Sequence, residues 1–159
     1  MPGNSPADKK GPAVKFPPPL IFIAFLLVGY GLQQTTPIGL GMASWGKLIG
    51  STLVTGSIVM LLILLMSYLR VKTSIEPWKP TSYLITSGLY RHSRNPIYAA
   101  FCLLNIGVGC YLNSLWIALS FLPSALSVYF IAIRKEEIYL ESKFGAQYVA
   151  YKNKVPRWL

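Results

Sequence analysis

The sequence predicts an all-α integral membrane protein with about four transmembrane helices and a C-terminal amphipathic helix on the cytoplasmic side. Three observations carry this expectation. Of the 159 residues, 53% are hydrophobic and only 13% charged, with a mean hydropathy of +0.46, too apolar for an ordinary soluble domain. The apolar residues gather in long runs. The basic residues fall in short segments between those runs, so the net charge of +10 reads as loop charge at a membrane and not as a nucleic-acid-binding face.

Residues 1–19 are polar, rich in Pro and Gly, and carry Lys9, Lys10 and Lys15. They are expected to form a disordered cytoplasmic tail, with residues 20–159 making a single membrane domain. The first span runs from about Phe16 or Leu20 to Gln34, where Pro37 and Gly39 break it. Gln33-Gln34-Thr35-Thr36-Pro37 follows the apolar run and Gly41-Met42-Ala43-Ser44 is only a weak cleavage site, which favours a retained span over a signal peptide. The second span runs from about Trp45 to Leu69, with small residues Gly50, Thr52, Thr55, Gly56 and Ser57 suited to close helix contact. Residues 70–95 are polar, and Pro77 and Pro80 interrupt any helix there. A third run starts at Pro96, whose missing N–H costs nothing in a first turn, and reaches about Leu112. Asn113-Ser114 makes a tight turn into a fourth run, Leu115 to Ile133, with a kink expected at Pro123. Lys135 to Tyr151 reads as one amphipathic helix with Glu137, Leu140, Phe144, Tyr148 and Tyr151 on one face.

The positive-inside rule orders these spans. Arg70, Lys72, Lys79, Arg91 and Arg94 lie between spans two and three, and Arg134, Lys135, Lys143, Lys152, Lys154 and Arg157 follow span four, whereas the opposite loops hold only Lys47. Both termini and both polar clusters are therefore expected on the cytoplasmic side.

The first cluster is Thr86-Ser87-Gly88-Leu89-Tyr90-Arg91-His92-Ser93-Arg94-Asn95-Pro96-Ile97-Tyr98. A helix N-terminus with Arg94 beside it suits an anionic group. Asn95 can cap the helix or bond a ligand, and Tyr90 and Tyr98 offer aromatic faces to a ring or a cation. Headgroup contact by a capped helix is the alternative. The second cluster is Arg134-Lys135-Glu136-Glu137, and the chain has only five acids. A carboxylate at a membrane boundary needs a partner. Adjacent helical residues point about 100° apart, so only one of Glu136 and Glu137 faces inward, and Glu137 shares its face with Leu140 and Phe144. An Arg134–Glu137 pair at i, i+3 is the alternative. His92 reads as a solvated loop residue, Gly107-Val108-Gly109 as a packing surface, and Cys102 and Cys110 as small buried hydrophobes without metal-ligand spacing.

Ile85-Thr86-Ser87-Gly88-Leu89-Tyr90, Arg94-Asn95-Pro96-Ile97-Tyr98, Glu136-Glu137-x-x-Leu140, Phe144-Gly145-x-x-Tyr148-x-x-Tyr151 and Val155-Pro156 occur in that order. The set resembles the isoprenylcysteine carboxyl methyltransferase and phospholipid methyltransferase family from about Pro77 onward. The resemblance implies an integral membrane enzyme using S-adenosylmethionine. It places Tyr90, Arg94, Asn95, Pro96, Tyr98, Glu136 and Glu137 on the cofactor-site motifs, with Asn95 and Glu137 as the catalytic candidates and no metal. The isoprenylcysteine branch usually has His where this chain has Asn95, as many bacterial relatives do. A bacterial inner membrane is the expected location. The acceptor stays open among lipid amines, thiols, prenylated compounds and other small apolar molecules, and so does O-, N- or S-methylation. Sterol reductases, which use NADPH, resemble the same C-terminal pattern but have many more spans. A transporter usually carries an acid within the membrane, and none of the four runs has one.

Overall fold

The computed structural model describes residues 11–14, 16–71, 73–74, 76 and 78–158, with the side chain of Ala43 left aside. Lys9, Lys10, Lys15, Lys72 and the first ten residues of the expected tail lie outside the described residues. Every regular element among those described is helical. In chain order they are α1 (Pro18–Thr35), α2 (Ala43–Arg70), a 3₁₀ turn (Gly88–Arg91), α3 (Pro96–Tyr111), α4 (Leu115–Leu119), α5 (Phe121–Val128), a π-helical segment (Tyr129–Ile133), α6 (Arg134–Phe144) and α7 (Ala146–Lys154).

Three helical stretches are long and apolar enough to cross a membrane: Pro18–Thr35, Ser44–Arg70 and Leu115–Phe144. Pro96–Tyr111 is apolar but shorter, at 16 residues. At 1.5 Å per residue it spans about 24 Å, somewhat under the hydrocarbon thickness. The apolar side chains point outward, as lipid-facing helices require. Leu27, Leu48, Leu62 and Leu126 are 60%, 58%, 51% and 61% exposed. The chain is thus a multi-pass membrane protein.

The first helix begins at Pro18, two residues before Leu20, because prolines are tolerated in a first turn where the N–H has no partner. The kink expected at Pro123 appears as a break at Ser120, between α4 and α5. Proline acts on the carbonyl four residues earlier, here Leu119, the last residue of α4. The single amphipathic helix expected over Lys135–Tyr151 is two helices. Gly145 adopts φ 50° and ψ −126°, a conformation closed to residues with a Cβ, and it ends α6.

The chain forms two compact units. One comprises Pro18–Leu62 and Ile97–Val128. In it α1 packs along α4 and α5, and the rings of Phe22 and Phe101 stack at 5.3 Å. Gly107 faces α2, where an added Cβ would lie 2.9 Å from the Leu53 Cβ and 3.0 Å from the Val54 nitrogen. Gly109 faces the opposite way and abuts the backbone of Ala118 in α4. The glycine pair is a packing surface on two sides of one helix. Asn105, buried in α3, donates through Nδ2 to Ser120 Oγ at 3.0 Å and to the Phe22 carbonyl at 3.3 Å, so its amide is satisfied away from water. Ser114 caps α4, accepting from the Ile117 N–H.

Among the described residues, the other unit comprises Ile63–Pro96, the chain from Tyr129 onward and the residues before Pro18. Its core is Leu84, Tyr148, Tyr151 and Val155, with Leu140 and Phe144 packed against it. The apolar face read along Lys135–Tyr151 is therefore real, but it is assembled across the Gly145 break. All but one of the expected site residues belong to this unit.

Candidate functional site

The local sequence sets the frame. Ser93 and Asn95 precede Pro96, which can only start a helix, so residues 93–95 form a tight loop whose polar groups cannot join a helical ladder. The segment Val155–Arg157 supplies their partners. The Arg94 N–H donates to the Pro156 carbonyl at 2.9 Å and Arg94 Nε to the Val155 carbonyl at 3.1 Å. Asn95 Nδ2 and Ser93 Oγ both donate to the Arg157 carbonyl, at 3.1 and 3.3 Å.

Above this strap the charged side chains meet. Arg94 Nη1 donates to Glu137 Oε1 at 2.8 Å and to the Tyr148 hydroxyl at 3.4 Å. Arg157 donates through Nε to Glu137 Oε1 at 2.9 Å and through Nη2 to Oε2 at 3.0 Å. The Arg157 guanidinium also lies 5.1 Å from the Tyr129 ring centroid, on the π-helical segment. The Arg94 and Glu137 side chains are 9% and 13% exposed, so their pairing is shielded from water, while Arg157 forms the rim at 35%. Two guanidinium groups thus share the one Glu137 carboxylate.

Glu137 follows the run Arg134-Lys135-Glu136, past the apolar part of its helix. Burial pushes its carboxyl up, but the bond from Arg157 and the charges of Arg94, Arg157 and Lys152 outweigh that and hold it below the usual carboxylate range. The bond to Glu137 holds the Arg157 guanidinium above its ordinary value. Burial raises the Tyr148 hydroxyl, with the Arg94 bond opposing it.

The other expected residues fall as follows. Tyr90 is buried in the 3₁₀ turn; its hydroxyl shares a 2.8 Å hydrogen bond with Tyr68, and its carbonyl accepts from the Tyr151 hydroxyl at 2.7 Å. Asn95 is buried, and Pro96 opens α3 as the sequence leads one to expect. Glu136 is half-buried and lies within electrostatic reach of Tyr68. Tyr98 is buried in α3 and belongs to the other unit. Arg134 sits over the Phe130 ring at 5.9 Å, while Glu137 turns to Arg94 and Arg157. His92 is exposed. Sequence reasoning passed over Arg157 and Tyr148 as site residues. The available signal was Arg157 following Val155-Pro156, a proline-stiffened segment ending in a cation.

A family model described as phospholipid methyltransferase matches residues 49–147. The chain belongs to the phospholipid methyltransferase family. The matched stretch of this family member contains Tyr90–Tyr98 and Glu136-Glu137, but not Arg157. It is similar to protein-S-isoprenylcysteine O-methyltransferase B of Arabidopsis thaliana, at 34% identity over 73 residues, which are 46% of this chain and 37% of that protein. It is also similar to a protein of Haemophilus influenzae described only as uncharacterized, at 67% identity over 27 residues, 17% of this chain and 43% of that protein. The chain thus spans less than half the length of both curated relatives it matches.

Proposed function

We propose that the chain is an integral membrane methyltransferase that moves a methyl group from S-adenosylmethionine to a lipid-like or small apolar acceptor. Family membership over residues 49–147, a stretch that holds both polar clusters, carries the reading. The arginine-rich cluster on Glu137 supports it. A shielded guanidinium suits the carboxylate of an amino-acid moiety, and Arg94 is the residue that takes it. Glu137 spends three of about four acceptor sites on the two arginines, which leaves room for a single donor such as an ammonium N–H. Tyr90 offers a ring to adenine or to the cation. Asn95 shapes the site by holding the Arg157 carbonyl.

When bound, S-adenosylmethionine supplies a methyl group on a sulfonium whose departure leaves a neutral thioether. Displacement of that kind calls on the chain for positioning and exclusion of water more than for acid catalysis. Both termini lie on the cytoplasmic side of a bacterial inner membrane in this reading, and the acceptor reaches the site from the bilayer.

Calorimetric titration of the detergent-purified protein with S-adenosylmethionine and with NADPH tests the proposal. Binding of S-adenosylmethionine alone is expected. Binding of NADPH alone would replace it with a reductase.

A further inference from the structure

We propose that Arg157 is a positioning residue of this site: its fork on Glu137 holds the carboxylate against Arg94, so that an anionic ligand group meets an Arg94 guanidinium already fixed in place. The inference rests on the methyltransferase reading for the identity of that ligand, and on geometry alone for the role of Arg157.

Arg157 is tied down from both its backbone and its side chain. Its carbonyl accepts from Ser93 and Asn95, so the residue cannot move without loosening the loop that carries Arg94. Its guanidinium takes both oxygens of Glu137 and rests on the Tyr129 ring. A planar two-pronged donor defines the orientation of a carboxylate, which a single bond from Arg94 does not. The effect on the Glu137 carboxyl agrees. The bond from Arg157 is among the interactions that hold it low, beside the charge of Arg94. The groups facing Glu137 are Arg94 from the loop, Arg157 from the C-terminal segment, and Tyr148 and Lys152 from α7. Arg157 lies outside the stretch matched by the family model.

Arg157→Gln removes the charge and the fork, and Arg157→Lys keeps the charge alone. S-adenosylmethionine binding is measured for wild type and both variants between about pH 4.5 and 8, in one detergent. Thermal unfolding is measured in parallel, with Glu137→Gln and the double variant completing a cycle. Wild-type affinity should stay level across that range. Arg157→Gln should lose roughly tenfold or more at neutral pH. The loss should deepen toward acid, because one of the groups that hold the Glu137 carboxyl low is then gone. Arg157→Lys should restore only part of it, and it serves in place of Arg157→Gln if that variant fails to fold. Unchanged affinity with a level pH profile in either variant overturns the inference. If wild type binds no S-adenosylmethionine, the proposed function fails, and the cycle alone decides the role of Arg157. Midpoint shifts for Arg157→Gln and Glu137→Gln that are strongly non-additive keep it, and additive shifts sink it.

Discussion

Arg157 closes a two-pronged hydrogen bond on Glu137, at 2.9 and 3.0 Å, across the break between α6 and α7. Because Arg94 shares the same carboxylate at 2.8 Å, one acidic side chain ties the loop before α3 to both ends of the C-terminal region. The stability of this unit therefore hangs on the ionised state of Glu137.

Glu137→Gln leaves two guanidinium groups facing a neutral amide. Removing one partner of a shielded ion pair costs about 3–5 kcal/mol, so a large fall in the thermal midpoint at pH 7 is expected. The pH dependence has a defined sign. The folded-state carboxyl lies below its unfolded value, so its contribution is present above the unfolded value of about 4.3 and is lost as pH falls through the lower folded value. The wild-type midpoint should drop in that acid window, and the gap between wild type and Glu137→Gln should close there. A gap that persists in acid would assign the effect of the substitution to packing.

Arg94→Lys keeps the charge but loses the donor that Nε gives to the Val155 carbonyl. It should cost about 1–3 kcal/mol of stability and on the order of tenfold in S-adenosylmethionine affinity. Calorimetry on a folded sample is the check, and unchanged affinity would leave Arg94 as a purely structural cation.

Gly145→Ala forces a Cβ into φ 50°, ψ −126°. The expected cost is about 1–3 kcal/mol. Faster protease cleavage between α6 and α7 should accompany it, and a midpoint equal to wild type would refute the strained turn.

Gly107→Val puts side-chain atoms where α2 already stands, and a loss of about 1–3 kcal/mol is expected. Gly56→Ala, in open space on α2, is the control. It should be neutral or stabilising by up to about 1 kcal/mol. Equal effects from the two changes would remove the packing role of Gly107.

Membrane sidedness is tested in a background with Cys102 and Cys110 replaced. Lys79→Cys and Leu112→Cys should label from opposite sides of the membrane, because the basic residues cluster around the first and not the second. Labelling of both from one side would discard the four-span arrangement.

The sequence by itself determined the fold class, the approximate spans and the two polar clusters, because apolar runs and the placement of Lys and Arg are one-dimensional signals read against a bilayer. Helical phase likewise put Glu137 on the side of Leu140 and Phe144. Pro123 also marked a break, which falls just after Leu119, whose carbonyl it obstructs. Two features were left to tertiary structure. Gly145 shows as a weak helix former, yet whether it lowers a helix or ends one depends on α7 folding back onto the core of Leu84, Tyr148, Tyr151 and Val155. The resemblance put Arg94 and Glu137 on one cofactor site, but the ion pairs of Glu137 were not legible. Local spacing offered Arg134, three residues away, whereas the arginines that hold it stand 43 and 20 residues distant and arrive only when the chain closes. Ion pairs between segments depend on which backbones meet in space, and that is decided by packing and not by spacing along the chain.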